Sequence, residues 1–186
     1  MSDPEDESSL ALEAARGDES AFRLLVERFE SRVVRLAFRI SDDFHAAEDI
    51  AQESFVRAYQ SLHSFDPDKG NFSSWLFRIT KNTALNHRRK RIPIPADIDE
   101  SSQQGREASP DFTCERIDEM RRLDVALNQL KEPYRSTFIL AEIDERPLKE
   151  IATIEEVPLG TIKSRISRAR AKLKLSLQKV RTETEP

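Results

Sequence analysis

Leu148-Lys149-Glu150-Ile151-Ala152-Thr153-Ile154-Glu155-Glu156-Val157-Pro158-Leu159-Gly160-Thr161-Ile162-Lys163-Ser164-Arg165-Ile166-Ser167-Arg168-Ala169-Arg170 carries the pattern that decides the fold class. Pro147 and Pro158 each precede an apolar repeat. Proline lacks an amide donor and presets φ, so it suits the first turn of a helix. Leu148, Ile151 and Ile154 recur at steps of three, and Ile162, Ile166, Ala169, Leu173, Leu177 and Val180 at steps of three and four. These are helical periods, and the spacing predicts a short helix, a brief connection and a longer helix, which is a helix-turn-helix. The face opposite the inner stripe carries Lys163, Ser164, Ser167, Arg168 and Lys174, with Arg170 beside it. Long cations next to small hydroxyls suit a helix laid in a major groove, where the cations reach base edges or phosphates and serine permits close approach. A solvated basic face on a surface helix is the plain alternative.

Upstream, the same period continues. Met120, Leu123, Leu127 and Leu130 form one stripe, and Pro133 opens a helix with Tyr134, Phe138 and Ala141. Nearer the N-terminus, Phe22, Leu25, Phe29, Val33, Leu36 and Ile40 mark an amphipathic helix. Ala47, Ile50, Ala51, Ser54, Phe55, Ala58 and Leu62 mark a second. Asp66 to Asn71 is turn chemistry. After it, Phe72, Trp75, Leu76, Ile79 and Thr83 begin a third helix that ends in Arg88-Arg89-Lys90-Arg91, where cations suit the helix dipole. No segment alternates with period two, so the expected class is all-α. Between the two helical blocks lie Ile92-Pro93-Ile94-Pro95, Ser101-Ser102-Gln103-Gln104-Gly105 and Ser109-Pro110. That composition fills no core and reads as a tether. The expected organisation is two small helical domains, 1–91 and 119–181, a flexible acidic linker over 92–118, and a tail at 182–186.

Charge is unevenly placed. Residues 92–120 hold 8 acidic and 2 basic side chains, whereas Gly160 to Arg181 hold eight basic and no acidic ones. The formal charge of −4 therefore conceals local basic surfaces, and phosphate binding follows local potential. The longest apolar run is four residues, Phe138 to Ala141, far below a membrane span. Met1 to Glu7 is acidic and lacks a secretion-signal pattern. A cytoplasmic protein with no membrane insertion is expected. The single cysteine, Cys114, excludes an internal disulfide, and the four glycines form neither GxGxxG nor GxxxxGK[ST].

Two further faces carry chemistry. Asp49, Gln52 and Glu53 share one side of their helix, opposite Ile50, Ala51 and Phe55. Such a face orients a basic partner helix by charge-assisted hydrogen bonds, or is simply solvated. Arg78, Asn82 and Asn86 repeat every four residues and end near Arg89. Asparagine offers a base edge both donor and acceptor, and arginine contacts phosphate. Trp75 reads best as core packing. His45 with Asp49 lacks ligands converging from another helix, and His63 and His87 have no partner pattern, so neither a metal site nor another cofactor is expected. Cys114 has no histidine partner nearby, and no catalytic constellation emerges.

Three of these segments resemble one family in register. Val157 to Arg170 resembles the promoter-reading helix of extracytoplasmic-function (ECF) sigma factors, small members of the sigma-70 family of bacterial RNA polymerase subunits. Ala47 to Phe55 resembles their polymerase-binding helix, and Phe72 to Ile79 with Asn82 and Asn86 their promoter-melting helix. The resemblance implies a non-enzymatic subunit with polymerase and promoter as partners. Asp49, Gln52 and Glu53 would dock on the clamp helices of the largest subunit, and the second domain would meet the flap of the second-largest subunit. Arg78, Asn82, Asn86 and Arg89 would read and melt the −10 element. Lys163, Ser164, Ser167, Arg168, Arg170 and Lys174 would face the −35 element. The turn Phe65 to Asn71 would help hold a flipped base, and an anti-sigma factor is a further implied partner. A free-standing helix-turn-helix regulator and a metal-dependent helical enzyme are the competing classes. Glu155 and Glu156 depart from the apolar-glycine pattern common in the family turn. They raise two expectations: a left-handed Glu156, and repulsion of phosphate.

Overall fold

The computed structural model describes residues 4–91 and 122–182. The expected linker over 92–118, Cys114, Met120 and residues 183–186 of the tail lie outside the described residues. Every regular element among the described residues is helical. In chain order the α-helices are α1 (Pro4–Ala15), α2 (Glu19–Ser41), α3 (Phe44–Ser61), α4 (Phe72–Arg91), α5 (122–128), α6 (Tyr134–Phe138), α7 (Leu148–Glu155) and α8 (Leu159–Thr182).

Helix ends follow local chemistry. Gly17 turns the chain at φ +102, after which Asp18 caps α2 by accepting from the Ser20 and Ala21 amides. Asp42 ends α2 in the left-handed region, and Asp43 caps α3 by accepting from Ala46 N. Asp66 caps the single turn Pro67–Lys69, and Asn71 accepts from Ser74 N at the start of α4. Pro147 and Pro158 stand at the starts of α7 and α8, as their spacing predicts. Two features depart from the sequence reading. The acidic N-terminal segment forms α1, whose Ala11 and Ala14 are buried against the core. The helix begun at Tyr134 widens into a π turn over Ile139–Ile143, closed by Asp144 N donating to Ile139 O at 2.9 Å.

Most of the predicted stripe residues of α2, α3 and α4 are buried, with Phe22 and Ile79 partly so. Leu25, Phe29, Val33, Leu36 and Ile40 of α2 pack with Ala47, Ile50 and Phe55 of α3 and with Phe72, Leu76 and Phe77 of α4. Phe29 meets Phe72 and Phe77 edge-on at 5.7 and 5.9 Å. Trp75 is half-buried against Phe65 and Phe72, the packing role expected of it. Phe29→Ala is expected to cost about 3–5 kcal/mol, read as a fall in the denaturant midpoint at unchanged slope.

The same core runs on into the second half of the chain. Ile139, Leu140, Ile151, Ile154, Ile162 and Ile166 belong to it, with α7 packed on α4. A smaller cluster joins Ala126, Leu127 and Leu130 to Ala169 and Leu173. Ion pairs stitch the seam. Arg39 pairs with Asp144, Arg88 Nη1 lies 3.6 Å from Glu132, and the Arg146 guanidinium sits 3.7 Å over the Phe77 ring. Arg135 is 3% exposed and donates to the Ile40 carbonyl at 2.8 Å, capping the end of α2. Burial, with Arg88 nearby, pushes its guanidinium pKa down to about 10, so it stays charged at neutral pH. The sequence reading included neither this shared core nor these pairs.

Candidate nucleic-acid interface

Three surfaces emerge because their helices bury the opposite side. On α8, Ile162, Ile166, Ala169 and Leu173 are buried, and this forces Lys163, Ser164, Ser167, Arg168, Arg170 and Lys174 outward. All six are exposed, and 164, 167 and 168 lie one helical turn apart. Arg170 reaches Glu142 at 2.7 Å, and Arg168 lies 3.4 Å from the Tyr134 hydroxyl. That hydrogen bond to Arg168 lowers the Tyr134 pKa. Arg165 is turned away from the outer face and held by Glu155 at 3.1 Å.

On α4, Asn82, Asn86 and Arg89 are exposed in a row, and Arg78 heads the same face. Arg78 is engaged by Glu156 across the seam between the halves. Lys81, one turn along, is buried and lies 3.4 Å from Glu155. The loop that precedes α4 opens a shallow groove against α1, lined by Ser8, Ser9 and Leu12 on one side and Pro67 to Asn71 on the other.

On α3, burial of Ile50, Ala51, Ser54 and Phe55 leaves Asp49, Gln52 and Glu53 exposed on one face, as their spacing predicts. Glu53 accepts from Arg57 Nη2 at 2.6 Å. Val56 and Tyr59 are exposed on the same side, at 53% and 46%, and make the face partly apolar. The sequence reading did not include Arg57, Val56 or Tyr59. Their signal was available, since both apolar residues stand off the buried stripe of α3.

Glu156 does take the left-handed conformation, with φ 55 and ψ 42, at a cost on the order of 1 kcal/mol. The anticipated repulsion of phosphate meets a different geometry. The Glu155 side chain is 5% exposed and points inward to Lys81, Arg165 and Ser136. Among the described residues, no three His, Cys, Asp or Glu side chains converge as a metal site would require.

Comparison with known proteins finds two family matches along the chain. Residues 25–92 match the family described as Sigma-70 region 2, and residues 120–173 that described as Sigma-70, region 4. The chain is 33% identical over 184 residues to the RNA polymerase sigma-H factor of Pseudomonas aeruginosa, covering 94% of this chain and 95% of that protein. It is 33% identical over 173 residues to the ECF RNA polymerase sigma factor SigW of Bacillus subtilis, covering 88% and 92%. Among solved structures it resembles CnrH in complex with the cytosolic domain of CnrY, with a TM-score of 0.69, 28% identity and coverage of 93% and 97%. It also resembles the sigma factor RpoE in complex with the anti-sigma factor NepR from Bartonella quintana, with a TM-score of 0.60, 26% identity and coverage of 84% and 96%.

Proposed function

The chain belongs to the extracytoplasmic-function sigma factors of the sigma-70 family, DNA-binding subunits of transcription initiation, and we propose that its three exposed faces divide that work. The α3 face of Asp49, Gln52 and Glu53 docks on the clamp helices of the polymerase largest subunit. The α4 face of Arg78, Asn82, Asn86 and Arg89 reads the −10 element once its bases are unpaired. The α8 face enters the −35 major groove, where Lys163, Ser164, Ser167 and Arg168 meet bases and Arg170 and Lys174 lie nearer phosphates. Domain limits of 1–91 and 119–181 accord with these assignments, and the second domain meets the flap. The polymerase supplies the catalysis, and this subunit selects the start site.

The observation that carries this reading is the α8 face. Six exposed polar or cationic side chains project from a helix whose other side is locked into a core, with no acidic residue from Gly160 to Arg181. Rigid placement of that kind is what base readout needs. The two solved neighbours with anti-sigma or cytosolic-domain partners support an anti-sigma partner here. Work on polymerase and promoter places the protein in the cytoplasm, and among the described residues no helix is long and apolar enough to cross a membrane.

In vitro transcription with core polymerase on a promoter library tests the assignment and separates it from a free-standing regulator, which would give no polymerase-dependent start. Arg168→Ala is expected to weaken binding to a selected −35 duplex by about 1–3 kcal/mol if it reads a base. It would cost less, with a shallower salt slope, if it meets only phosphate. Unchanged binding in both Lys163→Ala and Arg168→Ala would remove this face from the assignment.

A further inference from the structure

The turn between α7 and α8 is aimed at α4. Glu156 pairs with Arg78, the cation that heads the α4 face. Glu155 lies 3.4 Å from Lys81 Nζ. One turn before them, Thr153 closes on Gly70 in the loop that precedes α4. A Cβ at Gly70, where φ is +154, would meet the Thr153 methyl at 3.0 Å. One end of α7 therefore covers both the loop and the first cation of the same DNA-reading face. The α8 face stays exposed in this arrangement, as do Asn82 and Asn86.

A carboxylate on a guanidinium reproduces the charge and the hydrogen-bond geometry of a phosphate oxygen. We propose that Glu155 and Glu156 are a built-in phosphate mimic, a latch that adds to the shared core in holding the two halves of the free chain closed and competes with promoter DNA for Arg78. The proposal rests on the assignment of α4 as the −10 reader. The two pairs divide the task. Glu156 is 66% exposed, so its pair with Arg78 is weak, screened by salt and displaced by a polyanion. Lys81 and Glu155 are 9% and 5% exposed, so theirs is shielded and keeps the turn in place until α7 lifts. Closure lowers the apparent affinity for −10 DNA by the fraction of chains that are open. It leaves −35 binding untouched. It also gives the departure of this turn from the apolar-glycine pattern a use, since glycine there would leave Arg78 without a partner.

The test uses the full chain with Cys114→Ser, Gln60→Cys and Val125→Cys for a dye pair, one dye on each half. A second readout is binding of the single-stranded −10 non-template oligonucleotide of a promoter selected with reconstituted holoenzyme. Glu156→Gln should lower energy transfer and tighten oligonucleotide binding about 2- to 5-fold, with a larger change when Glu155→Gln is added. Affinity for the −35 duplex should not change. Glu145→Gln removes an equal charge from an exposed residue away from the latch and should alter neither readout. Unchanged energy transfer in both latch variants overturns the proposal. So does opening without tighter binding, or a gain matched by Glu145→Gln or by the −35 duplex. Arg78→Ala in the Glu156→Gln background separates the two layers. Weaker oligonucleotide binding there keeps the α4 assignment whatever the fate of the latch, and unchanged binding removes that assignment and the latch with it.

Discussion

Asp49→Arg combined with Glu53→Arg is expected to abolish binding to core polymerase while the fold stays intact. Both side chains are exposed, and neither belongs to the α2–α3–α4 core. Glu53 pairs with Arg57 at 2.6 Å, with both side chains about half exposed, so losing that pair costs about 0.3–0.5 kcal/mol. A new cation beside Arg57 adds a repulsion of similar size. The interface suffers far more. Two anionic positions that would meet arginines become cationic, and like charges brought together cost several kcal/mol. Gel filtration with core enzyme and a far-ultraviolet melt measure the two halves of this prediction. Normal co-elution of the double variant would sink the docking assignment, and a collapsed melt would show that these side chains support the fold. Val56 and Tyr59 lie on the same face, so Tyr59→Ala should weaken docking without any change in charge.

Asn82→Ala is expected to impair promoter opening far more than closed-complex binding. Asn82 and Asn86 are exposed on one face of α4, and their base partners become accessible only after melting. Unpairing costs a few kcal/mol per extruded base. A well-placed contact to a base edge returns about 1–3 kcal/mol, so its loss should lower open-complex yield about 5- to 150-fold. A template mismatched at −10 removes much of the unpairing cost. It should partly rescue Asn82→Ala and leave Arg168→Ala unrescued, because Arg168 acts on duplex upstream. Permanganate footprinting of thymines on intact and premelted templates reads both. Equal open-complex yield on intact duplex for Asn82→Ala and the unmodified chain would refute the melting role.

Much of this was legible in the linear pattern. The apolar stripes of α2, α3 and α8 mark the faces that are buried, because helical period alone states which side must leave water. The exposed positions of Asp49, Gln52, Glu53, Asn82, Asn86, Lys163, Ser164, Ser167 and Arg168 follow from the same geometry. The left-handed Glu156 was raised by the family resemblance, whose turn commonly carries glycine there, and not by helical period. What the period does not state is what lies opposite. Ala11 and Ala14 carry too little apolar area to announce α1, and they are buried because α2 offers a surface at that spacing. The sequence reading singled out neither Arg135 nor Arg146. They are covered because the carbonyl end of α2 and the ring of Phe77 lie far off in sequence and near in space. Glu155 and Glu156 read as a hazard to phosphate, and only the packing of α7 on α4 turns them toward Arg78 and Lys81. Local period and turn chemistry act over a few residues and were sufficient for helices and faces. The joining of the halves depends on contacts far apart in sequence, such as Arg78 with Glu156, whose worth comes from geometry and burial that no spacing encodes.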